Sequence, residues 1–169
     1  EQIKLRRSQI HQLKTDIGQR YLDDVELAET LNKLQWVLQN GRPVLSFLNA
    51  YDRRIGKYSL KEEAYIMYKN LYWSEGRLSH DDVLYFAYKI LTKDERIRDI
   101  IRAKFPYILI DEFQDTSPLQ TEIIKLIGQK EVNIGLIGDL CQSIYSFQGA
   151  NVESFEIFSL ENMKLYFKS

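Results

Sequence analysis

The sequence predicts an α/β protein in two parts: an all-helical lobe over residues 1–78, then a parallel sheet with crossover helices over 79–169. Three observations carry this. Apolar residues recur at helical spacing through the first part. Short, continuous apolar runs at Tyr107-Ile108-Leu109-Ile110 and Asn133-Ile134-Gly135-Leu136-Ile137 have the texture of strands buried on both faces. Helical patterns lie between and after those runs, and strand–helix–strand order implies parallel pairing through right-handed crossovers.

In chain order, Ile3, Ile10, Leu13 and Ile17 form a first helical stripe, interrupted at Gly18. Leu27, Leu31, Leu34, Val37 and Leu38 predict a second helix, stopped near Asn40-Gly41. Pro43 suits the first turn of a third, carrying Val44, Leu45, Phe47 and Leu48. Ser59 with Glu62, Ser79 with Asp82 and Thr92 with Glu95 have capping-box spacing and predict three further helix starts. Val83, Leu84, Ala87, Ile90 and Leu91 read as a core-facing stripe, and Pro106 stops the helix before it. Thr116 or Ser117, with Pro118 and Gln120, opens a helix that ends at Gly128. A short helix near Val152 to Phe158 and a third strand at Lys164–Phe167 complete the pattern.

Composition narrows the class. The 169 residues are 44% hydrophobic and 28% charged, with a net charge of −1, which fits an ordinary globular chain without a global positive field. The single cysteine, Cys141, excludes an internal disulfide and fits a reducing, cytoplasmic compartment. No apolar run approaches the ~20 residues that span a bilayer, so no membrane partner is expected.

Polar residues gather where the strands end. Asp111 and Glu112 follow the first strand; Gly138, Asp139 and Gln142 follow the second. Ligands of open parallel sheets bind outside the carboxyl ends of the strands. On an extended backbone, adjacent carboxylates point to opposite sides. One can then hold Mg²⁺, which takes few protein carboxylates and keeps room for phosphates, while the other serves the attacking water. An acidic pair after a strand is equally compatible with a simple turn.

Asp111-Glu112-Phe113-Gln114-Asp115-Thr116, followed by Gly138-Asp139-Leu140-Cys141-Gln142-Ser143-Ile144-Tyr145-Ser146-Phe147-Gln148-Gly149-Ala150, resembles the Walker B and third motifs of UvrD/Rep/PcrA-type superfamily 1 DNA helicases. Ser79 to Leu84 is similar to the DFDDLL-like segment of that family. The resemblance implies a partial RecA-like sheet of P-loop NTPase type, preceded by an inserted helical lobe. It implies ATP and Mg²⁺ as cofactors, Asp111 as the metal and nucleotide ligand, and Glu112 as the general base. Gln142 would lie near the γ-phosphate, while Phe147 would stack on a DNA base, with Tyr145 beside the nucleotide or the DNA. Single-stranded DNA, duplex junctions and other parts of a parent helicase would be the partners, and DNA repair is among the pathways it would serve. Gln148 stands where the family usually has arginine, which removes a cationic contact.

No G-x-x-x-x-G-K-[ST] phosphate loop occurs in the 169 residues. The chain is therefore expected to be an internal helicase segment, inactive alone, whose sheet lacks the phosphate-loop strand and must split, rearrange or exchange strands with another chain. The alternative is a helicase-derived module that binds DNA or protein without hydrolysis.

Overall fold

A computed structural model describes residues 23–31, 34–47, 54–55, 58–59, 62–128 and 132–138, with His11, Lys14 and Thr15. The expected helix at 152–158 and strand at 164–167 lie outside the described residues. The chain divides into two compact units, Glu1–Val83 and Leu84–Ser169.

The first unit is not all-helical. Helix α1 (Asp24–Leu31) is followed by two antiparallel strands, β1 (Leu34–Gln39) and β2 (Arg42–Phe47), where the continuation of that helix to Leu38 and a further helix from Pro43 were expected. A two-residue pair, β3 (Arg54–Ile55) and β4 (Tyr58–Ser59), precedes helix α2 (Glu62–Trp73). The physical reason lies in Asn40-Gly41. Both residues adopt positive φ, +50° and +73°, the geometry of a type I′ turn whose twist matches that of the flanking strands. Leu34 and Trp36 alternate with half-buried neighbours and pair with Phe47 and Leu45, so the period here is two. The helical stripe through Leu27 and Leu31 stops before Leu34. Pro43 is tolerated because a two-stranded ribbon consists of edges only. Leu27, Leu31, Leu34, Trp36, Leu45, Tyr68 and Tyr72 form the buried core of this unit.

Helix α3 (His80–Lys93) begins as its sequence predicts. The Ser79 amide donates to Asp82 Oδ2 (2.9 Å) and the Asp82 amide to Ser79 Oγ (3.2 Å). Two expectations for the following segment are corrected. Thr92 belongs to α3, its hydroxyl donating to the Tyr88 and Lys89 carbonyls; Asp94 caps helix α4 (Glu95–Lys104) by accepting from the Arg96 amide. Leu91 is buried as expected, whereas Val83 and Ile90 are about half exposed.

In the second unit, β5 (Tyr107–Ile110) pairs in parallel with β6 (Asn133–Leu136), joined by helix α5 (Pro118–Gly128). Ser117 and Gln120 make the capping box at the start of α5. β5 is not buried on both faces: Tyr107 and Leu109 are 74% and 77% exposed, because no described element covers that side of the pair. Gly135 lies opposite Leu109 in the register, and any Cβ there would fall 2.5 Å from Leu109 Cδ2.

Arg102 fastens α4 to α5. Its guanidinium donates to the Ile127 carbonyl (2.9 Å), to the Leu126 carbonyl (2.7 Å) and to Asp99 (2.9 Å). A cation on the last carbonyls of a helix satisfies orphan acceptors and opposes the negative end of its dipole. Arg102→Ala is expected to destabilise the second unit by about 1–3 kcal/mol, read as a lower urea midpoint by far-ultraviolet circular dichroism. Arg102→Lys should restore only part of this loss, because lysine lacks the planar fork.

Candidate functional site

The site grows from the carboxyl edge of the parallel pair. Ile110 ends β5, and the chain turns at once through Asp111 and Glu112 into a single 3₁₀ turn, Phe113–Asp115. Two backbone bonds tie this edge to Ile137, the residue just after β6: the Ile137 amide donates to the Ile110 carbonyl (2.8 Å), and the Phe113 amide donates to the Ile137 carbonyl (3.0 Å). Both strands therefore end on one rim, with Gly138, at the start of the second motif, immediately after Ile137.

The expected extended backbone through the acidic pair is not found. Glu112 has φ 52° and ψ 41°, the left-handed region that non-glycine residues seldom occupy. The amide of Glu112 donates to Asp111 Oδ1 (3.0 Å). Asp115 closes the turn with its amide on the Glu112 carbonyl (2.9 Å), and the Thr116 amide and hydroxyl both donate to the Phe113 carbonyl. The Asp115 side chain does not take part: its Oδ1 is buried and without a hydrogen bond.

Asp111 and Glu112 are both exposed, while Phe113 and Gln114 are each 2% exposed. The turn is thus anchored by its middle and presents its two carboxylates outward. Gln114, for which residue type and spacing give no role, donates its side-chain amide to Glu112 Oε2. Asp111 supplies a hard oxygen donor in the open, which fits a Mg²⁺ ion that keeps its waters and takes one or two carboxylates. Among the described residues no group of three or more His, Cys, Asp or Glu side chains is assembled. Gln142, Tyr145 and Phe147 lie outside the described residues.

A second polar cluster lies in the first unit. Asp82, 2% exposed, accepts from Trp36 Nε1 (2.9 Å) and pairs with Lys69 Nζ (2.9 Å), which is itself 5% exposed. Lys69 also donates to Ser79 Oγ (3.3 Å). Burial pushes the Asp82 carboxyl up, but Lys69, the Ser79 amide and Trp36 outweigh it and hold the group below its ordinary value. Next to it, burial pushes Asp81 above the usual carboxylate range. Trp36 stacks on Trp73 (6.5 Å between centroids), and Tyr68 meets Tyr72 edge-on (5.1 Å). Capping-box spacing pointed to Asp82; its partners Lys69 and Trp36, distant in sequence, carried no such signal.

The acidic turn thus lies on the carboxyl rim of a parallel strand pair, the edge at which ligands of open α/β sheets ordinarily bind. Over residues 2–162 the sequence matches the family described as UvrD/REP helicase N-terminal domain, and the chain belongs to that family. It is 38% identical over 92 residues to the ATP-dependent DNA helicase Rep of Buchnera aphidicola subsp. Baizongia pistaciae (strain Bp), covering 54% of this chain and 14% of that protein. It is 33% identical over 89 residues to a probable DNA helicase II homolog of Mycoplasma capricolum subsp. capricolum, covering 53% and 12%. It is 43% identical over 79 residues to RecBCD enzyme subunit RecB of Buchnera aphidicola subsp. Schizaphis graminum (strain Sg), covering 46% and 7%. The matched region is thus at most 14% of the length of these three relatives. No helix among the described residues is long and apolar enough to cross a membrane.

Proposed function

We propose that this chain supplies part of the ATPase machinery of a DNA helicase or translocase, one that couples ATP hydrolysis to movement along single-stranded DNA. The observation that carries the proposal is the anchored turn, which presents Asp111 and Glu112 on the rim where β6 also ends. The segment bearing Gln142 continues in sequence from that rim. In this reading the sheet is a partial RecA-like sheet, completed by a phosphate-loop strand from elsewhere in the polypeptide. The uncovered face of β5 supports further cover from elsewhere in the polypeptide, since parallel sheets are ordinarily covered on both sides.

Each residue has a defined task. Asp111 holds the metal that accompanies the triphosphate, and Glu112 accepts a proton from, or orients, the attacking water. Bound Mg²⁺ would supply neutralisation of the charge developing on the phosphate oxygens. Gln142 contacts the terminal phosphate or that water through its amide. Phe147 stacks on a base, a contact worth about 1–3 kcal/mol that is indifferent to sequence and so suits a motor that must grip every base. Tyr145 lies beside the nucleotide or the DNA. The partners are single-stranded DNA, duplex junctions and the remainder of the polypeptide; the expected compartment is the cytoplasm.

The test is ATP hydrolysis by the complete polypeptide with and without single-stranded DNA. Magnesium-dependent turnover stimulated by the DNA is expected, and DNA binding without turnover would replace the motor with a binding module. The 169-residue chain alone is expected to show no appreciable turnover, for want of a phosphate cradle. Phe147→Ala should weaken single-strand binding by about 1–3 kcal/mol in fluorescence anisotropy without lowering the melting temperature. Unchanged affinity removes Phe147 from the DNA path.

A further inference from the structure

We infer that Gln114 is a positioning residue for hydrolysis, fixing the Glu112 carboxylate through its side-chain amide. The inference rests on the reading of Glu112 as the general base. An exposed glutamate has three freely rotating side-chain bonds, and a base that wanders is seldom within reach of its water. Glu112 is constrained twice over. Its backbone is held in the left-handed region, which lifts it out of the line of β5, and such geometry persists only where the surroundings enforce it. The enforcement is visible: the Phe113 amide is bonded to the carbonyl of Ile137, the residue just after β6, the Asp115 amide to the Glu112 carbonyl, and both Phe113 and Gln114 are buried. The second constraint is the amide of Gln114, which donates to Glu112 Oε2 from a buried position.

The chemistry of the donor fits the task. An ionised carboxylate only accepts hydrogen bonds, so the glutamine must present its nitrogen. A neutral amide orients the carboxylate without placing a full positive charge beside it, as a lysine or arginine would; such a charge would favour the ionised form and oppose proton uptake. One carboxylate oxygen is engaged by Gln114, and Oε1 remains to meet the water. Gln114 itself would touch neither nucleotide nor metal; it acts through Glu112.

The experiment is DNA-stimulated ATP hydrolysis by the complete polypeptide carrying Gln114→Met, Gln114→Asn, Glu112→Gln, or Glu112→Gln with Gln114→Met. Methionine keeps the volume and removes the donor; asparagine keeps the amide but falls one methylene short. Each single Gln114 variant is expected to lower kcat about 10- to 100-fold. KM for ATP, the Kd of a non-hydrolysable ATP analogue and the melting temperature should stay near wild type. With Glu112→Gln already present, Gln114→Met should change kcat by less than about twofold, since residues acting as one unit are not additive. Full activity in either Gln114 variant, or an equal further loss on top of Glu112→Gln, overturns the inference. So does a main effect on KM, or loss of the fold in both variants, which would assign Gln114 to packing. Wild-type turnover by Glu112→Gln alone would instead sink the reading of Glu112, and the inference with it.

Discussion

Glu112→Gln in the complete polypeptide is expected to lower DNA-stimulated ATP turnover by about 10²–10⁴-fold, with ATP still bound. The size follows from the proposed role of Glu112 as general base. Glutamine keeps the shape of the side chain and a carbonyl oxygen that can accept a hydrogen bond, but it cannot take up a proton. Only the interaction made as the water attacks is lost, so kcat should fall while nucleotide affinity holds. Asp111→Asn should behave differently. Its loss falls on metal binding, so raised Mg²⁺ should recover part of the activity, whereas no Mg²⁺ concentration should rescue Glu112→Gln. The two adjacent residues are thereby separable in one titration. Turnover by Glu112→Gln within a factor of two of wild type would remove the general base from this turn. The left-handed backbone at Glu112 would then need another explanation.

Disrupting the buried pair of Lys69 and Asp82 should have the largest effect on stability. Lys69→Met leaves a 2%-exposed carboxylate without its cation, and Asp82→Leu leaves a buried ammonium without its anion. Either is expected to cost about 3–5 kcal/mol, because an uncompensated buried charge forfeits both hydration and partner. The double variant should recover much of the loss, since two apolar side chains need no such compensation. The chain's two tryptophans, Trp36 and Trp73, both belong to the first unit and stack on one another, so their fluorescence in urea reads its unfolding directly. Acid gives an independent check. The Asp82 carboxyl titrates lower in the folded protein than in the unfolded chain, so the unfolded state binds the proton more readily. The contribution of this group is therefore complete above about pH 4, the ordinary carboxylate value. It is lost as the pH falls through the lower folded value. A first-unit stability as steep in acid for Asp82→Asn as for wild type would remove Asp82 from that role.

The carboxyl-edge turn was legible because it is local. Strand, acidic pair, capping serine and helix follow one another within Tyr107–Gly128, and each step has a short-range cause. The Ser79–Asp82 box was legible for the same reason. The hairpin was misread although Asn40-Gly41 is itself a strong turn signal, because Leu27, Leu31, Leu34 and Leu38 also satisfy helical spacing. Two periods fitted the same residues, and the positive φ values at the turn decided between them. Exposure of Tyr107 and Leu109 was misread because an apolar strand states its need for cover without stating what provides it.

The sequence alone determined the family, the order of its motifs and the residues that carry charge to the sheet's edge, since these depend on residue type and short spacing. Tertiary structure decided three matters: the left-handed turn at Glu112, the amide of Gln114 upon its carboxylate, and the meeting of Lys69, Asp82 and Trp36. Each depends on where burial brings groups together, and on a polar group withdrawn from water needing a partner wherever the fold can supply one.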